Sequence, residues 1–345
     1  MLKKIYKKYF DKNENKNFDY KEFIEVSRKL YSVYNKGYEP PKFIFNISKN
    51  NIIRYMKSTI IYYEKESDKI LSFTREPVNI EMNRYYNLEK MEKYFGYKIS
   101  LYNEKSSNIA IFTKTPIQYR KKYKFNEQNE LIKLDINVLN VIGVELDSEK
   151  QYDYIKLYKK VFLENQDFLT IKEYENMVRK YFIKIKKCFI DNNFEILFLS
   201  AIGLENFAIL CPILYINPYK IFNKILNEVF NDIINKISNK KIILWCFSDK
   251  LLKNIRIKNK YVCNLYLEDL LYEIYDNNME YINLSISCKI NIDKILFTNA
   301  YDPYSIVGNG NNNDNSLDGY FGRISAMSVL CWPYTNPFIK YIKIS

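Results

Sequence analysis

Asn299, Asp302, Asp314, Asp318 and Arg323 fall within one window, 295–337, of a chain that has no histidine at all. The same window holds Gly308, Gly310, Gly319 and Gly322, half of the eight glycines in 345 residues. Glycine lets a backbone turn sharply and approach a ligand closely. Backbone N–H groups at the opening of a helix attract anions such as phosphate. Gly308, Asn309, Gly310 and Asp314 form a polar loop of this kind, and Gly319 opens the helix that follows. Arg323 lies about one turn beyond Asp318 and can pair with it or reach a phosphate. The carboxylates of Asp302, Asp314 and Asp318 are of the type that holds Mg2+ through oxygen. A turn at Asp302-Pro303 and placement of Asp314 and Asp318 at a helix start account for them equally well, and neither a metal nor a cofactor is expected.

The window reads as strand, loop and helix. Ile295, Leu296 and Phe297 form an apolar run ending at Asn299 and Ala300, and Ser316 can cap a helix over about 317–330. Residues 1–100 read as a mixed, mostly helical region. Within it, 18–34 places Phe23, Val26, Leu30 and Val33 on one helical face, 52–63 is a second periodic apolar segment, and 86–97 is a helix stopped at Gly96. From about residue 101 the pattern alternates. Strands are predicted at 109–113, 134–144, 195–202 and 241–247. Helices are predicted over 154–189, broken near 167–170, and over 218–237, and 261–292 is expected to hold a helix at 267–275 and a strand at 281–290. Near-continuous apolar strands alternating with helices imply an α/β domain over 101–345, its largely parallel sheet covered by helices. Ligands in such sheets sit at the carboxyl ends of strands. Two loops qualify, 203–207 and 299–318.

The absence of histidine excludes a Ser-His-Asp triad, a Cys-His pair and every His-ligated metal. Six cysteines, Cys188, Cys211, Cys246, Cys263, Cys288 and Cys331, are far apart and mostly in apolar settings, so they read as reduced core residues of an intracellular, cytoplasmic protein. No signal peptide is expected from the N-terminal residues, and no apolar run approaches the ~18 residues of a membrane span. Lys, Asn, Ile, Tyr and Phe are all abundant together, as AT-rich coding produces, so the 33 tyrosines and 22 phenylalanines carry little functional meaning. The net charge of +13 is compatible with nucleic acid or anionic nucleotides as partners. Its densest runs are short: Arg120, Lys121, Lys122 and Lys124, then Lys184, Lys186 and Lys187.

Four features together resemble the macrodomain family of ADP-ribose-binding modules. Asn299-Ala300 closes a strand before the Gly308–Gly310 loop and the Asp318-Gly319 helix start. Ala201, Ile202, Gly203, Leu204, Glu205, Asn206 and Phe207 follow the family's second loop. Phe247 and Asp249 match a later strand end, and Gly143 matches the end of the strand before the long helix. The order is shifted, since the Asn-Ala loop comes last here, and circular permutation accounts for that because domain termini are often close together.

The resemblance implies a three-layer fold, with a mixed sheet between helices, that takes ADP-ribose or an ADP-ribosylated protein. It assigns Asn299 to a ribose hydroxyl or an ordered water, and Asp318 to orienting water, a role that needs correct placement. The loops at Gly203 and Gly308 would hold phosphates, while Phe207 and Phe247 would line the ligand. Glu205 stands where the family has a second glycine, and a carboxylate beside a diphosphate is repulsive unless it points away. The triple-glycine and paired-glutamate signature of poly(ADP-ribose) glycohydrolases is missing. The expected function is binding of ADP-ribose or a related nucleotide, with or without hydrolysis of an ADP-ribosyl linkage. The competing expectation is a basic nucleic-acid-binding or scaffold protein without catalysis.

Overall fold

The computed structural model describes residues 49–64, 109–122, 129–149, 151–164, 167–236, 240–245, 247–255, 261–265, 270–271, 274, 291–300 and 338–344. Helix α1 (Lys49–Ser58) leads into strand β1 (Ile60–Tyr63). Strands β2 (Ala110–Lys122) and β3 (Asn129–Val141) form a long antiparallel ribbon. Helix α2 (Tyr152–Tyr158) runs on into a π-helical turn (Lys159–Leu163), then α3 (Asp167–Asp191) and β4 (Ile196–Leu199). After two 3-10 turns come α4 (Pro218–Lys236), β5 (Lys241–Trp245), α5 (Asp249–Asn254), β6 (Tyr261–Cys263), β7 (Ile295–Ala300) and β8 (Lys340–Lys343).

These strands form one sheet in the order β6-β5-β4-β7-β3-β2-β1-β8. The neighbours from β6 through β3 are all parallel, β2 is antiparallel to β3 and β1, and β8 is parallel to β1. The chain is therefore an α/β protein with a mostly parallel sheet. Parallel strands in the middle of such a sheet are buried on both faces, and β4 is buried at every position, as its unbroken Ile-Leu-Phe-Leu run requires. β1, drawn from the first hundred residues, joins the same sheet.

One face is covered by α3 and α4. In α3, Tyr174, Met177, Val178, Tyr181, Phe182, Ile185, Cys188 and Phe189 recur at three- and four-residue steps and form a buried stripe. The helix ends where Asn193 takes φ 52, with Phe194 N–H donating to Phe189 O at 3.1 Å, a Schellman closure. Helix α4 starts at Pro218, and Asn217 Oδ1 accepts from Lys220 N–H at 3.0 Å. Phe182 of α3 meets Phe222 and Phe230 of α4 edge-on, at 5.0 and 6.0 Å between centroids. These side chains share a core with Leu139, Val141, Leu197, Leu199, Leu244 and Leu296 of the sheet. On the other face Phe297 stacks on Phe198 at 5.1 Å, and Trp245 meets both rings edge-on.

Several boundaries move from those read off the sequence. The strand expected at 109–113 extends to Lys122 because it continues as one half of a ribbon. The long helical stretch opens into a π-helical turn at Lys159–Leu163 and α3 begins at Asp167, so the departure from α-helix comes earlier than the break expected near 167–170. The single periodic segment 52–63 divides into α1 and β1 at Thr59, whose hydroxyl donates to Tyr55 O. The expected helices at 18–34, 86–97 and 317–330 and the strand at 281–290 lie outside the described residues. No helix among the described residues is long and apolar enough to cross a membrane.

Candidate functional site at the carboxyl ends of β3, β7 and β4

Strand β7 lies between β3 and β4, all three parallel, so the segments after Val141, Leu199 and Ala300 emerge at one end of the sheet. Among the described strands, the one that follows β4 in the chain is β5, on one side, and the one that follows β7 is β8, at the opposite edge. Divergence of this kind makes a topological switch point, where open α/β sheets form a ligand crevice. The backbone ladder between β4 and β7 stops at Phe198 and Phe297. Beyond it, Thr298 Oγ1 takes over: it donates to Phe198 O at 3.1 Å and accepts from Ser200 N–H at 2.9 Å. A side chain there spans a gap that backbone groups fill lower in the sheet, so the two strands part at this level.

On the β3 side the ladder continues to Val141 and Ala300, and Asn299 sits opposite Asn140. Asn299 is buried, with 2% of its surface exposed, and its Nδ2 donates to Asn140 Oδ1 at 3.0 Å. The β3 register places this pair on the Phe297 face of the sheet, away from α3 and α4. Ala300 is half-buried against the helix-side core.

The loop after β4 is clamped to the loop after β3. A Cβ on Gly143 would lie 2.9 Å from Gly203 N and from Ile202 Cγ2, so the two chains approach as only glycine allows. Leu146 N–H donates to Phe207 O at 2.8 Å, and Leu210 N–H donates to Leu146 O at 2.9 Å. Tyr181 of α3, whose phenol burial pushes well above its ordinary range, donates from its hydroxyl to Ile202 O at 3.3 Å. Farther along, burial pushes the Cys211 thiol up to about 12, against a hydrogen bond with Tyr174 that lowers it. That thiol is a packing group and no nucleophile. Gly203 is buried at φ +70 and Phe207 is half-buried.

Glu205 also takes a positive φ of 55, the conformation that favours glycine. Its side chain is exposed and accepts from Ser248 Oγ at 2.7 Å. The carboxylate is thus held toward the segment after β5. Phe247, in that same segment, is only 2% exposed and packs edge-on against Phe222 at 6.0 Å, a core contact.

Of the residues picked from sequence, Asn299, Ala300, Gly203, Phe207 and Phe247 all lie at this end of the sheet, the first four on the β7 and β4 exits. Gly308, Asn309, Gly310, Asp314, Asp318, Gly319 and Arg323 lie outside the described residues. Nothing in the sequence alone marks Asn140, Thr298 or Ser200 as site residues. Their partners lie roughly a hundred residues or more away along the chain, and only the strand register brings them together. Glu145 and Asp153 are both buried nearby, with Glu145 N–H donating to Asp153 Oδ2 at 3.2 Å in the first turn of α2. Among the described residues no group of three acidic or cysteine side chains is placed to hold a metal ion. No family model matches the chain, and no curated protein matches it.

Proposed function

We propose that the crevice at the carboxyl ends of β7 and β4 binds ADP-ribose or a closely related nucleotide, in a fold of three-layer, permuted macrodomain type. The observation that carries this reading is the adjacency of two strands. The strand ending in Asn299-Ala300 lies directly beside the strand leading into Ala201–Phe207, in parallel register, although some hundred residues separate them in the chain. The left-handed conformation of Glu205 adds to it, because a residue standing in for glycine keeps glycine's backbone geometry there. The Ser248 contact supplies the condition that Glu205 had to meet, a carboxylate directed to a hydroxyl.

In this reading Asn299, oriented by Asn140, bonds a ribose hydroxyl. The Gly308–Gly310 segment supplies backbone N–H groups to the diphosphate. Asp318, downstream of Asn299 in the chain, orients water for hydrolysis of an ADP-ribosyl linkage, releasing ADP-ribose and the free acceptor group. Calorimetric titration of the full chain with ADP-ribose tests the binding. Saturable heat that Asn299→Ala abolishes is expected, and the absence of heat at high micromolar ligand rejects the assignment. Release of ADP-ribose from a modified protein, compared between the native chain and Asp318→Ala, then separates hydrolysis from binding alone.

A further inference from the structure

Six large apolar side chains left exposed belong to one helical hairpin. Ile155, Tyr158, Phe162 and Leu163 lie on α2 and its π-helical turn, and Phe168 and Leu169 lie at the start of α3. Only residues 164–166 join the two arms. Glu173 of α3 ties the arms together, since Lys156 and Lys160 both reach it, at 2.5 and 4.0 Å. The first turns of α3 therefore run back along α2, and Leu163 and Phe168 stand at the tip. These two are the most exposed of the six, at 71% and 77%.

The inner side of the same hairpin is core: Tyr154, Leu157, Val161 and Tyr174 are all buried. Ile155, Tyr158 and Phe162 follow a three-four spacing that gives α2 a second apolar face, turned to solvent. Tyr158 lies against Phe162 at 4.5 Å between centroids, so that face is continuous. A helix that is apolar on more than one side is normally buried on each. With about 200 Å2 of surface for a side chain of this size, the exposed fractions of the six amount to roughly 600 Å2. That is at the upper end for a contiguous apolar patch on a monomer. It is also most of the about 800 Å2 that each partner contributes to a standard interface, before the stems of Lys159 and Lys172 are counted.

We propose that this hairpin tip pairs with the same tip of a second copy of the chain, in a two-fold symmetric dimer. Charge selects this partner. Residues 155–173 hold four lysines against Glu164, Asp167 and Glu173, a net +1 in a chain of +13. Two copies of so basic a chain repel one another, and a balanced stretch lets them meet. In a two-fold interface one patch serves both sides, so the exposed Lys159 and Lys172 of one copy face the exposed Glu164 of the other around an apolar centre. An anionic lipid surface gains little from a patch with so little net charge. The inference is independent of the nucleotide crevice.

The test is sedimentation equilibrium of the full chain over roughly 1–100 µM, where a reversible monomer–dimer equilibrium is expected. Phe168→Glu is expected to weaken the dimer at least about tenfold, through loss of one aromatic anchor. Leu163→Glu and Phe168→Glu together should leave only monomer over that range. Both side chains stand in solvent in the single chain, so the melting temperature of each variant at low concentration should stay close to that of the native chain. Ile190→Glu places the same charge on an exposed position of α3, about 30 Å from Phe168 along the helix, and should leave the dimer intact. A native chain that is monomeric throughout overturns the proposal, as does a dimer that survives the double variant or is weakened equally by Ile190→Glu. A monomeric chain that co-sediments with phosphatidylcholine–phosphatidylserine vesicles, and loses them in the double variant, assigns the tip to lipid and overturns it as well.

Discussion

Ser248 donates its hydroxyl to the carboxylate of Glu205 at 2.7 Å, and Glu205 holds a left-handed backbone conformation, φ 55, to receive it. The two residues come from segments after neighbouring parallel strands, β5 and β4, so the contact crosses the carboxyl end of the sheet. A non-glycine residue at this φ costs about 1 kcal/mol or more. Glu205→Gly is therefore expected to stabilise the fold by about 0.5 kcal/mol, the relief of φ less an exposed hydrogen bond. It also removes a negative charge from a loop proposed to hold the diphosphate and should tighten ADP-ribose binding. Ser248→Ala should loosen binding in the native background by freeing the carboxylate, and should leave affinity unchanged once Glu205 is glycine. A double-mutant cycle read by calorimetry checks this. Equal effects of Ser248→Ala in both backgrounds would mean that the serine acts on something other than Glu205.

The Asn140–Asn299 pair leads to a second expectation. Asn299 is almost completely buried, and its amide donates to the Asn140 side chain across the β3–β7 register. Asn140→Ala removes that acceptor and is expected to cost about 1 kcal/mol in denaturant unfolding. Asn140→Asp keeps an acceptor oxygen and should cost less. If Asn299 bonds a ribose hydroxyl, Asn140→Ala should also weaken nucleotide binding more than its stability loss alone explains. Unchanged affinity in a folded Asn140→Ala protein would detach Asn140 from the site.

These pairs show where the sequence is legible and where it is not. The buried strands β4 and β5 are readable because burial on both faces leaves an uninterrupted apolar run, Ile-Leu-Phe-Leu in one and Ile-Ile-Leu-Trp in the other. α4 is readable because its apolar residues keep helical spacing between a clear start at Pro218 and a polar end. The special loop after β4 is readable through Gly203. The inner ends of the ribbon are readable as the strands expected at 109–113 and 134–144, but its outer part is not, since Lys114, Thr115 and Gln118 dilute the apolar pattern where, among the described residues, β2 pairs with β3 alone. Thr298 and Ser200 are also invisible in sequence, because a threonine in an apolar strand signals β-propensity until a second strand arrives to be bridged. Glu205 is legible as a departure from glycine, but the hydroxyl that receives its carboxylate is not.

The contact between Gly143 and Gly203 makes the clamp between the two loops sensitive to a single methyl group. A Cβ at Gly143 would meet backbone at 2.9 Å, and one at Gly203 would meet Val144 N at 3.1 Å while holding φ +70. Gly143→Ala is expected to cost about 2–3 kcal/mol through the forced shift, and Gly203→Ala at least about 1 kcal/mol from backbone strain alone. Because both substitutions press on the same contact, the double variant should lose less than the sum of the singles. Urea unfolding of the three proteins measures this. Strict additivity would show that the two loops move independently.

The end of β1 lies at the same end of the sheet as the exits of β3 and β7, and an ion cluster there makes stability depend on pH. Glu64 bridges two lysines of α3: Lys184 Nζ at 2.7 Å and Lys180 Nζ at 2.7 Å, with the Lys184 side chain 1% exposed. Burial pushes the Glu64 carboxyl up, but the two lysines outweigh it and hold the carboxyl below its ordinary 4.5. A carboxyl depressed in the folded state stabilises the fold above its unfolded value, and that contribution disappears as pH falls through the folded value. Glu64→Gln removes the carboxylate that accepts from both lysines and is expected to cost about 2 kcal/mol at neutral pH, the worth of a hydrogen bond to a charged group. The gap between the native chain and Glu64→Gln should then shrink steadily below about pH 4.5, as the native carboxyl protonates. Lys180 is more exposed, so Lys180→Gln should cost much less at neutral pH. Denaturant unfolding of the three proteins at neutral pH and at roughly pH 3 decides it. A gap that stays constant across that range would mean that Glu64 stabilises by packing and hydrogen bonding alone, with its charge contributing nothing.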